Sequence, residues 1–149
     1  MTHEPDTPAA LKARALRHLA RREHSRAELA RKLAPHAASP GCLESLLNEL
    51  QAKKQLSDER YAEARAHWLS RKYGAARIRQ DLKAHGIADA VADRLSSSGE
   101  LEKARAILAR KYRTQPDSRE ETAKRARFLQ SRGFSYDIIR SALRFDDFE

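Results

Sequence analysis

Apolar positions along the chain recur three and four residues apart, and no stretch alternates in the manner of a strand. Leu43, Leu46, Leu47 and Leu50 make the clearest stripe, the i, i+3, i+4, i+7 spacing of one helix face. Weaker stripes of the same period precede and follow it. Leu11, Ala15, Leu16 and Leu19 align in a helix over 9–22, and Leu29 and Leu33 in a second. Tyr61, Ala62, Leu69 and Tyr73 share an arc, Ile78 faces with Leu82, and Val91 with Leu95. Leu101, Ala104, Leu108 and Tyr112 align next, then Ala126 with Leu129, and finally Ile138, Ile139, Ala142 and Leu143.

The breaks fall where helix ends are expected. Ser25 with Glu28, and Ser118 with Glu121, have the spacing of a capping box, in which the serine takes the N3 amide and the glutamate reaches back. Ser39-Pro40 is an N-cap followed by proline at the first helical position. Ser57 caps a helix whose first turn carries Asp58 and Glu59, the charge the dipole favours. Pro35 ends one helix. Gly74, Gly86 and Gly133 end three others, as residues able to take a left-handed turn. Phe134 and Ile139 flank the Ser135 cap as a hydrophobic staple.

Two motifs recur. Arg71-Lys72-Tyr73 returns as Arg110-Lys111-Tyr112, a shift of 39, and Leu82 to Ile87 returns as Leu129 to Phe134, a shift of 47. The difference of eight residues is an insertion containing Pro116. Repeats of this size read as stacked helical units, each too short to bury its own apolar faces. The expectation is an all-α chain of three tandem three-helix repeats in an elongated, curved, solenoid-like arrangement. Its parts are a disordered leader at 1–8, repeats at 9–56, 57–98 and 99–145 with a loop near 113–118, and an acidic tail at 146–149.

Composition supports helix and directs attention to charge. Ala, Leu, Arg, Glu and Lys dominate, while Val, Ile and Thr are few. Thirty Lys+Arg against 21 Asp+Glu leave a formal charge of +9 over 149 residues, which draws polyanions or acidic proteins. Cys42 is alone, so no intramolecular disulfide forms. No apolar run is long enough to span a bilayer, and the N-terminus lacks a secretory signal. A cytoplasmic monomer is expected. No phosphate-binding glycine loop or nucleophile elbow occurs, and the six histidines lack metal-ligand spacing. Neither catalytic residues, nor a metal, nor a cofactor is therefore expected.

The candidate contact residues are basic. Arg71, Lys72, Arg77, Arg79 and Lys83 form one cluster, opposed between 71 and 85 only by Asp81. Arg125, Arg127, Arg132, Arg140 and Arg144 form a second. They read either as two partner-facing ridges or as ordinary solvated helix faces. Trp68, with Arg65 and Lys72 at helical spacing, reads as an interface anchor or as a core residue.

Four stretches, in order, resemble the RecX regulatory proteins of bacteria. They are Ala15 to Leu29 (ALRHLARREHSRAEL), Leu56 to Ala62 (LSDERYA), Tyr73-Gly74 with Ile78 to Ile87, and Phe128 to Ile139 (FLQSRGFSYDII). The insertion near Pro116 and the leader before Ala9 depart from the family pattern without removing a motif. The resemblance implies three three-helix repeats. It also implies a non-enzymatic role: binding the RecA recombinase along the groove of the RecA–DNA filament and restraining its ATPase, co-protease and strand-exchange activities in DNA repair. Direct contact with single- or double-stranded DNA is a further implied property. The competing reading is a stand-alone nucleic-acid-binding protein that coats the polymer electrostatically.

Overall fold

The computed structural model describes residues 4–144. Met1–His3 of the expected leader, the side chain of Arg144 and the acidic end at 146–149 lie outside the described residues. Those residues form nine α-helices and one 3-10 turn, with no strand among them: α1 (Pro8–Arg21), α2 (Arg26–Leu33), the turn Ala34–His36, α3 (Pro40–Ala52), α4 (Asp58–Leu69), α5 (Ala75–Ala84), α6 (Asp89–Ser96), α7 (Glu100–Lys111), α8 (Arg119–Ser131) and α9 (Tyr136–Arg144). The chain divides into two compact units. One comprises the chain up to Ala64 with Ala84–Ile87, and the other comprises Arg65–Lys83 with everything from Ala88.

The first unit closes around the leucine stripes. Leu11 and Ala15 of α1, Leu29 and Leu33 of α2, and Leu46, Leu47 and Leu50 of α3 bury together with Leu56. Removing such side chains from water is the main force holding short helices, which are marginal alone. Asp6 and Thr7, expected in the leader, are engaged. The Thr7 hydroxyl accepts the Ala10 amide at 3.2 Å. The Asp6 carboxylate takes Arg14 Nε at 2.8 Å while its amide donates to the His36 carbonyl at 2.8 Å. Three-residue caps of this kind lie below the resolution of apolar periodicity.

The second unit buries Ala104 and Ile107 of α7 against Leu129 of α8 and Ile139 and Ala142 of α9, with Phe134 from the intervening turn. Phe134 and Ile139 are both buried, as the staple requires. Ile78 and Leu82 of α5 are fully buried as well.

Both capping boxes are half formed. Ser25 and Ser118 each accept the amide three residues on, at 3.1 Å. The glutamates do not reach back. Glu28 is taken by Arg22 at 3.0 Å and Glu121 by Arg125 at 3.2 Å, because a charged donor outcompetes a neutral backbone amide. Gly74 also differs from expectation. It does not adopt positive φ, unlike Gly86, Gly99 and Gly133. It is required because a Cβ there would lie 2.7 Å from the Phe134 ring and 2.8 Å from the Gly133 carbonyl carbon.

One joint is built twice. In the first unit the α2 N-terminus receives the Asp58 carboxylate, 2.6 Å from the Arg26 amide, and a Cβ on Gly86 would fall 2.5 Å from the Ala27 methyl. In the second unit the α5 N-terminus receives the Glu100 carboxylate, 2.7 Å from the Ala75 amide, while Gly133 lies against Arg77. There the Gly74 and Ala76 amides also donate to the Arg132 and Gly133 carbonyls at 2.8 and 3.1 Å. The open N–H groups of one helix thus meet the last carbonyls of another, joining opposite dipole ends. The acids come from equivalent places, the first turns of α4 and α7.

The first unit also carries a linked set of ionisable groups. His24 is 2% exposed, with Nε2 2.9 Å from the Lys32 ammonium and Nδ1 3.1 Å from the Arg22 carbonyl. An ammonium only donates, so Nε2 accepts, and Nδ1 carries the proton and donates to the carbonyl. Burial, the leading cause, pushes both His24 and the adjacent His18 ring, 5.6 Å away, below the ordinary histidine value. Glu28 is held down to about 2, first by the Arg22 hydrogen bond. In all three cases the unfolded chain binds more protons, so stability falls as pH falls. Loss is expected first below the unfolded histidine value of 6.5 and again between 4.5 and about 2. Urea unfolding measured from about pH 8 to pH 3 checks this. His24→Gln should flatten the upper window, and an unchanged upper slope would remove His24 from the account.

Candidate functional site

The expected basic residues do not form two equivalent ridges. Arg79 of α5 lies 3.5 Å from Asp93, and Lys83 lies 3.4 Å from Asp89. These α6 acids pair with two of the five residues of the first cluster, and Arg79 and Lys83 with Ser96, Ser97, Gln130 and Phe134 line a groove of about 800 Å³. Arg125 is only 7% exposed, and its Nε is bound by Glu121 at 3.2 Å. It is spent inside the fold and is not available as a surface contact. Arg127 is exposed on α8. Arg140 is exposed on α9, its guanidinium 5.5 Å from the Tyr136 ring.

The rest of the first cluster converges with part of the second. Arg77 sits 4.7 Å from the Tyr73 ring centroid and donates to the Ser131 carbonyl at 3.1 Å. Arg132 approaches the same ring at 5.7 Å and the Phe128 ring at 5.1 Å. Arg71 and Lys72 are exposed beside them. The recurring Arg-Lys-Tyr motifs meet here, since the Arg110 guanidinium donates to the Arg71 carbonyl. Lys111 lies 4.1 Å from the Phe128 ring and 5.8 Å from Tyr112. Arg110, Lys111, Tyr73, Tyr112 and Phe128 were not foreseen as contact residues. The signal was the repeated Arg-Lys-Tyr tripeptide, which also marks the repeat itself.

Trp68 is not in the core. It is 59% exposed on α4, while Ala62, Ala66 and Leu69 of the same helix are buried. The Arg65 guanidinium sits 5.2 Å from its ring centre. Arg65 is in turn fixed by two hydrogen bonds to Asp81, Nε and Nη2 each at 2.9 Å. The pinned guanidinium against its ring holds the exposed indole in one orientation. Among the described residues no group of three or more His, Cys, Asp or Glu side chains is placed to hold a metal. No described helix is long and apolar enough to cross a membrane.

Helices in threes, joined by a duplicated glycine-and-acid joint, define a tandem array of three-helix domains. Family models described as the first, second and third three-helix domains of RecX match residues 12–48, 57–94 and 98–143. The chain belongs to the RecX family. It is 49% identical over 142 residues to the regulatory protein RecX of Leptothrix cholodnii, spanning 93% of this chain and 90% of that one. It is 47% identical over 141 residues to that of Herbaspirillum seropedicae, spanning 93% and 92%. In fold it resembles the crystal structure of RecX from Lactobacillus salivarius, with a TM-score of 0.78 at 24% identity over 95% of this chain and 97% of that one.

Proposed function

We propose that this chain is a regulatory protein that restrains the RecA recombinase by lying in the groove of the RecA–DNA filament. The observation that carries the reading is the match of all three domains, in order, to proteins named regulatory protein RecX. The geometry fits a contact surface: Arg71 and Lys72 are exposed, and Arg65 braces the exposed Trp68. Three domains in one chain supply several modest contacts, and contacts made to successive filament subunits add while resisting their relative movement. Acting on RecA places the protein in the cytoplasm.

The test is the DNA-dependent ATPase of RecA with this protein added below equimolar ratio. Hydrolysis is expected to slow progressively. The variant Arg71→Glu/Lys72→Glu is expected to need roughly ten times more protein for the same slowing, since it reverses two exposed charges at a steered encounter. An ATPase rate unmoved at every ratio would sink the proposal. Wild-type potency in the variant, with helicity intact, would exclude those two cations as contacts.

A further inference from the structure

The second helix of each repeat carries a pair of core positions four residues apart. In α2 they are Leu29 and Leu33, in α5 Ile78 and Leu82, and each is 0% exposed. The shift of 47 residues that maps Leu82 onto Leu129 also maps Ile78 onto Arg125. The third copy thus places a guanidinium where the other two place an aliphatic core side chain, and Arg125 is still only 7% exposed. Proteins break such local rules mainly where function requires it.

Arg125 lines a pocket of about 530 Å³ among α7, α8 and α9. Arg105 of α7 lines it too, as do Arg113, Thr114 and Gln115 of the following loop. That loop lies in the interval lengthened by eight residues, so the second repeat has no counterpart of it. Leu108 and Leu143 supply part of the apolar wall. The Arg125 Nε donates to Glu121 at 3.2 Å, and its guanidinium carbon lies 4.2 Å from the Tyr112 ring centre. Among the described residues no further acceptor meets Arg125, so both of its NH2 groups are left over. A buried guanidinium with donors to spare is costly until an anion completes it. Three arginines line the pocket and, among the described residues, no acid does. The site therefore suits an anion of more than one charge.

We propose that this pocket binds a small phosphate monoester, of the kind carried by a mononucleotide or a sugar phosphate. A monoester near neutral pH carries close to two charges on three free oxygens, and guanidinium forks match such oxygens in pairs. A phosphodiester within a nucleic-acid strand offers a single charge and fewer free oxygens, and a carboxylate likewise has one charge. Thr114 and Gln115 add neutral donors, and the apolar wall receives the organic part of the ligand. The proposal uses no filament contact, so it stands or falls apart from the filament reading.

Calorimetric titration of the whole chain with adenosine 5′-monophosphate and with ribose 5-phosphate tests it. Both are expected to bind and adenosine is not; tighter binding by the nucleotide would support the apolar wall as the seat of the base. Arg125→Ile restores the aliphatic residue of the other repeats. It should fold with an unchanged or higher Tm, as replacing a buried ion pair by a packed aliphatic often does, and lose affinity about tenfold or more. A merely structural Arg125 would leave affinity unmoved. Arg113→Ala, at an exposed loop position, should lose affinity several-fold, and gives a second reading if Arg125→Ile fails to fold. Arg31→Ala, exposed on α2, should bind as wild type. No binding of either monoester at millimolar concentration would overturn the proposal, as would wild-type affinity in both pocket variants. Equal displacement of the nucleotide by sulfate would reduce the site to an adventitious ion only. Equal displacement by an oligothymidine lacking a terminal phosphate, at matched phosphate concentration, would also overturn it and assign the pocket to nucleic acid.

Discussion

Gly133→Ala is expected to destabilise the protein by about 2–5 kcal/mol, the sum of left-handed backbone strain and overpacking. Gly133 has φ +96°, and a Cβ there would lie 2.4 Å from Arg77 Cγ, 2.9 Å from Arg77 Cβ and 2.8 Å from its backbone nitrogen. The side-chain carbon can swing aside, but the nitrogen is fixed in the first turn of α5. The same turn is held by Gly133 itself, whose carbonyl accepts the Ala76 amide. Gly86→Ala is expected to fall in the same range, with φ +83° and the Ala27 methyl 2.5 Å away. Gly99→Ala separates the two causes. It has φ +63° but meets nothing nearer than 3.8 Å, so only backbone strain of about 1–2 kcal/mol remains. Urea midpoints for the three variants should therefore order as Gly99→Ala above the other two. If Gly133→Ala melts with Gly99→Ala, the joint contributes nothing beyond its φ.

This gradient shows which parts of the fold were legible beforehand. The leucines of α1 to α3 declare their buried face through their own spacing, and all of them pack where the period puts them. Gly86 and Gly133 are legible as helix ends because the left-handed turn is a local property. Their second role is not legible, because the atoms that exclude a Cβ belong to Ala27 and Arg77, far away in sequence. Gly74 looked like the other two and serves only the second role. The acids Asp58 and Glu100 are likewise recognisable as first-turn residues of α4 and α7. That each also caps a helix of the preceding repeat depends on three-dimensional proximity.

The candidate site follows the same division. Positive charge is visible in the sequence, but its neutralisation is not. Arg79 and Lys83 look like Arg71 and Lys72 until α6 brings Asp93 and Asp89 alongside. Arg125 looks like Arg127, yet one turns inward to Glu121 and Tyr112 and the other outward. Tyr73 and Tyr112 sit on apolar stripes, which a helical period assigns to the core, and Phe128 adjoins the stripe of Ala126 and Leu129. Each is half-buried, offering apolar surface to the interior and a ring to the cations, a split that hydropathy alone does not report.

Trp68→Ala is expected to weaken binding to a preassembled RecA–DNA filament by about 30-fold, or about 2 kcal/mol, the scale of an interface hot spot. Because the indole is 59% exposed, the same change should alter the unfolding free energy from urea titration by less than about 0.5 kcal/mol. The two readouts together discriminate a partner contact from a structural one. Arg65 sharpens the test, since it touches both the indole and Asp81. Arg65→Lys keeps the charge but cannot make the two-pronged bond to Asp81 or lie flat against the ring, so binding should drop by an intermediate amount. Combining it with Trp68→Ala should cost little more than Trp68→Ala alone, because the brace has value only while the indole is present. Cosedimentation of labelled protein with the filament supplies the affinities. Full additivity would show Arg65 contacting the partner by itself, and wild-type binding by Trp68→Ala would remove this face of α4 from the interface.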